Sequence, residues 1–307
     1  MSGAKPPGGI RIAVRRWIDN GATGPEVAAQ DARRVDWSRV LPFIALHAGC
    51  LAVFQVGVSA LALAVAAALF ALRMFAVTAF YHRYFSHRAF RTSRVAQFAF
   101  AVLGASAVQR GPLWWASHHR HHHAHSDKPT DNHSAARHGF LWSHVGWFLS
   151  RANFATLHAR VSDLARYPEL RLLDRFDIAV PALLGLSLYL IGGAQLFVWG
   201  FCVSTVALHH ATFTINSLAH RFGSRRYPTR DDSRNNPWLA LLTFGEGWHN
   251  NHHHFPSAAR QGFYWWEVDM SYYGLRALAA LGIIWDLRSV PAEVRDSRAP
   301  RSAPRST

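Results

Sequence analysis

Seven histidines crowd one short stretch of this chain, from Trp114 to His133, and their type and spacing fit metal chemistry. His119, His122 and His123 stand at positions i, i+3 and i+4, which on a helix places three imidazoles on one face. A second helical face would carry His118, His121, His122 and His125. Neutral imidazole binds iron, copper and zinc, so either face predicts one edge of a metal site.

Three other motifs carry possible ligands. His82 and His87 are five residues apart, about 140° on an α-helix, so both can reach one metal only if the helix ends between them. Asn216 and His220, in NSLAH, are spaced i and i+4 and so share a helical face. The H-x-x-H-H spacing recurs in the last motif, GEGWHNNHHHFP, as His249, His252 and His253. For the central stretch from Trp114 to His133, a surface histidine tract that stores metal is the competing interpretation.

Two long uncharged runs indicate a membrane protein. One extends from Val40 to Leu72, and the other, from Ile178 to Ala219, has His209 and His210 as its titratable groups. Each run is too long for one span of about 20 residues and suits two spans joined by a tight turn. We place the turns near Gly57 and at 192–195. The sequence therefore predicts an all-α integral membrane protein with four transmembrane helices in two hairpins, at about 40–55, 58–80, 177–191 and 195–214.

The charge distribution orients these spans. Seven basic residues lie among the first 39, both hairpin turns are uncharged, and arginines crowd the segments after each hairpin. By the positive-inside rule, both termini and a helical cap that holds the histidine motifs face the cytoplasm. The net charge of +15 suits an anionic membrane surface, and without a basic stripe on a soluble module we expect no nucleic-acid partner.

The remaining segments suggest supporting roles. We predict that residues 1–38 form a cytoplasmic arm without chemistry, that residues 39–287 form the membrane domain, and that residues 288–307 form a disordered tail. Arg73 should lie near the membrane interface, at the end of the second span. Residues 95–108 are apolar but too short to span comfortably, which favours an interfacial or re-entrant segment. Cys50 and Cys202 show no spacing typical of a metal site or structural disulfide.

The size of the ligand set points to two metals. Nine histidines and one asparagine, in four motifs, are too many for one ion and suit two ions with five ligands each. Zinc needs three or four ligands, and a neutral, nitrogen-rich set departs from the carboxylate di-iron sites of soluble bundles. Iron at the membrane surface, activating dioxygen for attack on a lipid chain, is the chemistry that fits best.

At this point the sequence resembles a known family. HRYFSH, HHRHHH, NSLAH and GEGWHNNHHHFP, in this order and with this hairpin spacing, are similar to the membrane fatty acid desaturases, in particular the acyl-CoA delta-9 (stearoyl-CoA type) branch. The resemblance covers roughly residues 40 to 287. It implies a di-iron centre in the helical cap, and a short chain of this kind suggests a bacterial inner-membrane protein.

The resemblance also implies a ligand set. The family's H-x-x-H-H pattern falls on the first of the two helical faces, which leaves His118, His121 and His125 out. One Fe²⁺ ion would be held by His82, His87, His119, His123 and His252. The other Fe²⁺ ion would be held by His122, His220, His249 and His253, with Asn216 bound through a water. His254 has no counterpart among the ligands and is expected to be structural, and we expect no catalytic residue beyond the ligands.

The implied function is oxygen-dependent desaturation of a long-chain acyl-CoA or acyl-lipid, giving a cis double bond with delta-9 as the expected position. Without a nucleotide-binding loop or an iron–sulfur cysteine set, the chain should take two electrons from an external donor such as ferredoxin, rubredoxin or cytochrome b5 with its reductase. A di-iron lipid hydroxylase or alkane monooxygenase is the alternative enzyme. A histidine-rich metal transporter is the alternative from another class, but its ligands should lie within the spans.

Overall fold

The structure, a computed structural model, describes residues 9–22 and 34–297, and the chain there is mostly helical. The longer helices are α1 Gly9–Ile18, α2 Trp37–Cys50, α4 Ala60–Phe75, α5 Arg94–Ala105, α6 Pro112–His125, α9 Pro168–Arg175, α10 Ala179–Leu196, α11 Ser204–Leu218 and α14 Met270–Ala280. The shorter ones are α3 Val53–Val56, α7 Ala135–His138, α8 Ser162–Ala165, α12 Pro237–Leu242, α13 His249–His254 and α15 Ala292–Asp296. Three π-helical segments and four 3₁₀ turns complete them: Ala76–Ser86, Trp142–Gly146 and Phe197–Val203, then Asn20–Ala22, Trp147–Leu149, Arg151–Asn153 and His158–Arg160.

Three helical stretches among the described residues are long and apolar enough to cross a membrane: Arg39–Val56, Ala60–Ser86 and Ala179–Leu218. The four predicted spans fall within these three stretches except at residues 58–59 and 177–178. The chain leaves helical geometry at both predicted turns, with a φ of 67° at Gly57 and of 61° at Gly193. A left-handed backbone of this kind favours glycine, which explains both residues. The third stretch, 40 residues long, is therefore two helices joined at Gly192 and Gly193.

The two glycine turns contact each other. The Gln195 side-chain amide donates to the Val56 carbonyl at 2.9 Å, and Ser59 Oγ donates to Gln195 Oε1 at 2.8 Å. The Trp199 indole donates to the Gly57 carbonyl at 2.8 Å. Two of these bonds satisfy backbone carbonyls at the first break, and all three join it to the residues that follow the second break. The four helical segments therefore pack with both breaks at the same end.

Arg73 lies in an unexpected place. Its side chain is fully buried instead of reaching toward an interface. Its guanidinium donates five hydrogen bonds, to the hydroxyls of Ser204 and Thr205, both at 2.6 Å, and to the carbonyls of Leu69, Ser106 and Gly200. All five N–H groups of the side chain are used. Arg73 therefore ties α4 to the π-helical segment Phe197–Val203 and to the start of α11.

Replacing Arg73 with methionine is expected to lower the thermal unfolding temperature by about 5–10 °C. The Gly200 carbonyl and the Ser204 hydroxyl would lose their charged donor while remaining buried, a loss of about 3 kcal/mol. The measurement is thermal unfolding of the purified protein in detergent. Arg276, which is exposed on α14, provides the control, because Arg276→Met removes the same charge without breaking a buried bond. Equal unfolding temperatures for the two variants would refute this role of Arg73.

A helical cap follows the apolar helices. Its core packs α5, α6, α9 and α14 around the π-helical segment Ala76–Ser86, where the Phe80 and Phe100 rings stack with centroids 3.8 Å apart. Gly104 is required here, because a Cβ at this position would lie 2.1 Å from the Tyr81 ring. A two-stranded antiparallel ribbon, β1 Arg91–Thr92 with β2 Ile284–Trp285, is a small addition to the predicted all-α architecture.

Both ends of the described chain pack against this body, which differs from the predicted disorder of the tail. Residues 288–297 were expected to be disordered, but α15 follows Pro291, and Tyr227 donates to the Arg295 carbonyl at 2.6 Å. The rest of the predicted tail lies outside the described residues, as do residues 1–8 and 23–33 of the arm. At the other end, the carboxylate of Asp19 pairs with Arg175 at 2.8 Å, and this contact fixes the segment after α1.

Candidate metal centre

The structure gathers nine of the predicted ligands into two buried or half-buried groups. Within each group the possible ligand atoms all lie within 4.8 Å of one another. The five-histidine group is His82, His87, His119, His123 and His252. The four-histidine group is His122, His220, His249 and His253. The histidines of the two groups are those of the two sets that the resemblance implied.

A π-helix explains how His82 and His87 reach the same group. The segment Ala76–Ser86 is wound with i to i+5 hydrogen bonds, so residues five apart lie on nearly the same face. The segment ends at Ser86, and His87 follows directly. The two rings are 5.0 Å apart between centroids. The predicted helix end between the two histidines is present, and the change in helical pitch, which spacing alone did not indicate, helps to align them.

Helix α6 presents the first of its two possible histidine faces. His119 and His123 enter the five-histidine group, and His122 enters the other. The remaining histidines bind backbone carbonyls instead: His118 that of Ala155, His121 that of Thr130, and His125 that of His121. Because consecutive helical residues diverge by about 100°, the neighbours His122 and His123 point to different groups.

The last two motifs complete the groups. His252 and His253 on α13 divide between the groups as His122 and His123 do. His220 lies beyond the end of α11 at Leu218, so it does not extend the helical face of Asn216 as the spacing predicted. Asn216 lines the same cavity as His249 and His122. His254 faces away from both groups, stacked on Tyr227 with centroids 4.1 Å apart and with its Nε2 3.2 Å from the Val294 carbonyl.

The distances between ring nitrogens fit metal coordination. The Nε2 atom of His252 lies 2.9 Å from that of His82 and 2.9 Å from that of His123. Two ligands at about 2.1 Å from one ion, at right angles, are about 3 Å apart. His253 Nε2 is buried without a hydrogen-bond partner among the described residues, as expected for an atom reserved for a metal. The donor set therefore fits two metal ions.

Carboxylates hold the opposite nitrogens of several rings. Asp131 lies 3.0 Å from His122 Nδ1, Asp127 lies 2.9 Å from His220 Nδ1, and Asp231 lies 2.6 Å from His253 Nδ1. Glu246 pairs in the same way with His82 Nδ1. A carboxylate that accepts from Nδ1 leaves Nε2 free to bind a metal and fixes the ring orientation. Sequence reasoning did not identify these four carboxylates as partners of the histidines.

Burial and neighbouring charges set the protonation of the centre. Burial alone would raise the pKa of Asp127, Asp131 and Asp231, but the facing imidazoles outweigh it and hold all three pKa values below the usual range. Burial, followed by the neighbouring imidazoles, lowers the pKa of most ligand histidines, and that of His253 falls to about 4. The histidines held well below the usual pKa are His87, His119, His123, His249 and His252. Neutral imidazoles with free lone pairs are the form that binds metal.

Replacing Asp231 with asparagine is expected to weaken metal binding by about 10- to 100-fold. The amide keeps the shape of the carboxylate but removes the charge next to His253 Nδ1. The measurement is retention of metal by the purified protein against increasing chelator. Asp232→Asn is the matched control, because Asp232 pairs through its side chain with Arg225 and not with a histidine. Equal retention in the two variants would show that Asp231 does not support the site.

A cavity of about 460 Å³ runs alongside the centre, within the usual size range for small-molecule sites. His82, His119, His122 and His249 all contribute to its wall. The other lining residues are mostly apolar or aromatic, and they include Phe43, Leu46, Val77, Val108, Trp114, Trp115, Trp147, Phe148, Phe154, Ile178, Pro181, Phe201, Phe213 and Ile215. The cavity can therefore hold a long apolar group directly beside both histidine groups.

Comparison with known proteins places the chain in a family. The family model described as fatty acid desaturase matches residues 59–285. The chain is 36% identical over 271 residues to the sn-1 stearoyl-lipid 9-desaturase of Anabaena variabilis, an alignment that covers 85% of this chain and 97% of the relative. It is 37% identical to the sn-2 palmitoyl-lipid 9-desaturase of Nostoc sp., covering 69% and 76%, and 39% identical to an acyl-CoA 5-desaturase of Anemone leveillei, covering 70% and 67%. With these matches and the two histidine groups, the chain belongs to the fatty acid desaturase family.

Proposed function

We propose that this enzyme inserts a cis double bond into a long fatty acyl chain held in the cavity beside two iron ions. Membership of the family makes it an enzyme that desaturates fatty acids. The observation that carries the proposal is the convergence of nine histidines, in two groups, on one apolar cavity. An acyl chain is the long, uncharged substrate that such a cavity suits.

The proposed ligand assignment follows the two groups. One iron would be held by the five-histidine group and the other by the four-histidine group. Asn216, which lines the same cavity, would support the second iron through a water. A nitrogen-rich set without carboxylate ligands is compatible with iron. The chemistry supplied by the bound iron is dioxygen activation: with two electrons and two protons, dioxygen is reduced to two waters as two hydrogens leave neighbouring methylenes.

The protein positions the acyl chain and excludes water from it. Trp115 stacks on His119 with ring centroids 5.0 Å apart, and its indole donates to Gln109 at 3.3 Å. Gln109 in turn donates to Thr212 at 2.8 Å, which joins the cap to α11 across the cavity. These contacts fix the part of the cavity wall against which the reacting carbon–carbon bond must lie. A misplacement of that bond by about 1 Å can reduce the rate about 100-fold. The apolar lining also excludes water from the reacting carbons.

The substrate and the double-bond position are proposed from the relatives. Two of them are named for position 9 of a stearoyl-lipid or palmitoyl-lipid, and another for position 5 of an acyl-CoA. We propose position 9 of a saturated acyl group carried on a lipid or on CoA. Electrons come from an external redox protein such as ferredoxin, rubredoxin or cytochrome b5 with its reductase.

The proposed topology has four spans, because the third apolar stretch breaks at Gly192 and Gly193. Each half then forms a hairpin, with both turns on the side opposite the histidine groups. With arginines concentrated in the cap and near the N-terminus, we place both termini and the metal centre on the cytoplasmic side of a bacterial inner membrane.

The test is expression in a host with little unsaturated fat, with iron supplied, followed by mass spectrometry of total fatty acids. New monounsaturated chains that disappear in His122→Ala would support the proposal, and mapping of the double bond gives its position. Hydroxylated chains, heavier by one oxygen, would show an oxygenase instead. Co-expression with ferredoxin and its reductase provides electrons, so a missing product could not be attributed to a missing electron donor.

A further inference from the structure

Three arginines line the cavity that also contains the histidines. Arg16 comes from α1, Arg39 from the start of α2, and Arg110 from the segment before α6. The arm was predicted to carry no chemistry, yet Arg16 places it on the cavity wall. An apolar acyl chain offers no hydrogen-bond acceptor to these three guanidinium groups. Their presence therefore suggests that the cavity also binds a polar group.

One of these arginines has unused donors. Arg16 pairs with Asp36 at 3.4 Å, and Arg110 pairs with Asp177 at 2.7 Å. The Nε and Nη2 atoms of Arg39 are buried and have no hydrogen-bond acceptor among the described residues. A buried donor without an acceptor is energetically unfavourable, and more so when it is charged. Such a cost is expected where a bound ligand provides the missing acceptor.

The Arg39 guanidinium also shares an aromatic ring with another cation. The carbon centres of the Arg39 and Arg110 guanidiniums lie 4.7 Å and 5.5 Å from the centroid of the same Phe154 ring. The ring stabilises both groups through cation–π contacts, but it does not neutralise them. With Asp177 already paired to Arg110, an anion between the arginines would remove the repulsion that remains.

A row of rings connects the arginines to the metal centre. Arg110 lies 5.1 Å from the Trp114 ring, and the centroid of Trp114 is 5.6 Å from that of Trp147. The His133 ring is 4.7 Å from Trp147 and 4.4 Å from His122. All of these residues line the cavity. The arginines and His122 therefore stand at two ends of one aromatic wall.

We propose that Arg39, with Arg16 and Arg110, binds the phosphate of the substrate headgroup while the acyl chain extends along this wall to the histidines. The inference rests on the proposed function and adds a headgroup class to it. A guanidinium presents a planar fork that matches phosphate oxygens, and two adjacent guanidiniums suit its charge. Arg39 is also the first residue of the apolar stretch Arg39–Val56, the level at which lipid phosphates meet a membrane-spanning helix.

The test is direct binding to the purified, iron-loaded protein in neutral detergent, measured by native mass spectrometry. Three stearoyl probes separate the possible headgroups: distearoylphosphatidylglycerol, stearoyl-CoA, and the uncharged monogalactosyl distearoylglycerol. The wild-type protein is expected to prefer a phosphate-bearing probe. Arg39→Gln is expected to weaken binding of that probe about tenfold or more and to change galactolipid binding less than twofold. Whichever phosphate probe loses affinity identifies the source of the phosphate.

Two controls accompany the variant. Arg276→Gln removes the same charge from an exposed site outside the cavity and should leave all three affinities unchanged. Arg39→Lys keeps the charge but loses the fork, so its affinity for the phosphate probe should lie between those of the wild-type protein and Arg39→Gln. Metal content and unfolding temperature establish that each variant is folded.

The outcomes are distinct from those of the desaturation test. A wild-type protein that binds the galactolipid as tightly as the phosphate probes overturns the inference without any variant. An Arg39→Gln protein that binds all probes equally weakly, or all as tightly as the wild type, also overturns it. Because binding does not require turnover, a desaturase without headgroup preference would refute this inference alone. A phosphate-selective protein that makes no unsaturated product would refute only the proposed function.

Discussion

His252→Ala is expected to abolish desaturation, while His254→Ala, two residues away on the same short helix, retains it. His252 Nε2 stands 2.9 Å from the Nε2 atoms of both His82 and His123, so its loss opens the five-histidine group at its centre. Metal ligands and the groups that hold them are each needed for full affinity. The purified variant should also lose about half of its bound iron.

His254 makes this comparison sharp. It belongs to the same helix, α13, but its ring stacks on Tyr227 and its Nε2 faces the Val294 carbonyl. Any general effect of removing an imidazole from α13 should therefore appear in both variants. The measurements are fatty acid analysis of expressing cells and iron content of the purified proteins. If His252→Ala kept both iron ions and its activity, the five-histidine group would not be a metal site.

Local patterns in the sequence predicted the helical elements and their breaks. Hydropathy located the apolar stretches, and glycines at 57 and 193 mark the breaks because each has the positive φ that glycine favours. The histidine spacing on α6 was compatible with two faces, and spacing alone did not choose between them. The choice depends on which face packs toward His87 and His220, and those contacts come from distant parts of the chain.

The sequence did not show contacts between residues that are far apart along the chain. Asp127 holds His220 across 93 positions, and nothing near either residue marks the pair. Arg73 looked like an interfacial residue because its neighbours in sequence are apolar, but Ser204 and Thr205, more than 130 positions away, provide its acceptors. The π-helix around His82 is equally hidden, since helical periodicity assumes a constant pitch.

Removing the metal is expected to make the protein much less stable, and increasingly so as the pH falls. Metal bound to the folded state adds stability that a chelator removes. In the metal-free protein, burial holds the pKa of His119, His123, His249 and His252 far below the value of about 6.5 for a free imidazole, and that of His253 at about 4.

The direction of the pH effect follows from these pKa values. Below pH of about 6.5 the unfolded chain takes up protons that the folded chain does not, so stability is complete above that pH and is lost as the pH falls toward the folded-state values. Each such histidine contributes up to about 1.4 kcal/mol per pH unit. Chelated protein should therefore unfold at least about 5 °C lower at pH 5.5 than at pH 7.5.

A double variant tests whether these histidines are the cause. Chelated His252→Gln/His253→Gln protein has two fewer buried imidazoles to protonate on unfolding, so its unfolding temperature should depend less on pH than that of the chelated wild type. Both proteins are metal-free in this comparison, which separates proton uptake from loss of metal. If the unfolding temperatures of the double variant and the wild type depended equally on pH, groups other than these two histidines would cause the acid sensitivity. A chelated wild-type protein as stable at pH 5.5 as at pH 7.5 would show that its buried histidines are not held neutral, the form in which they bind metal.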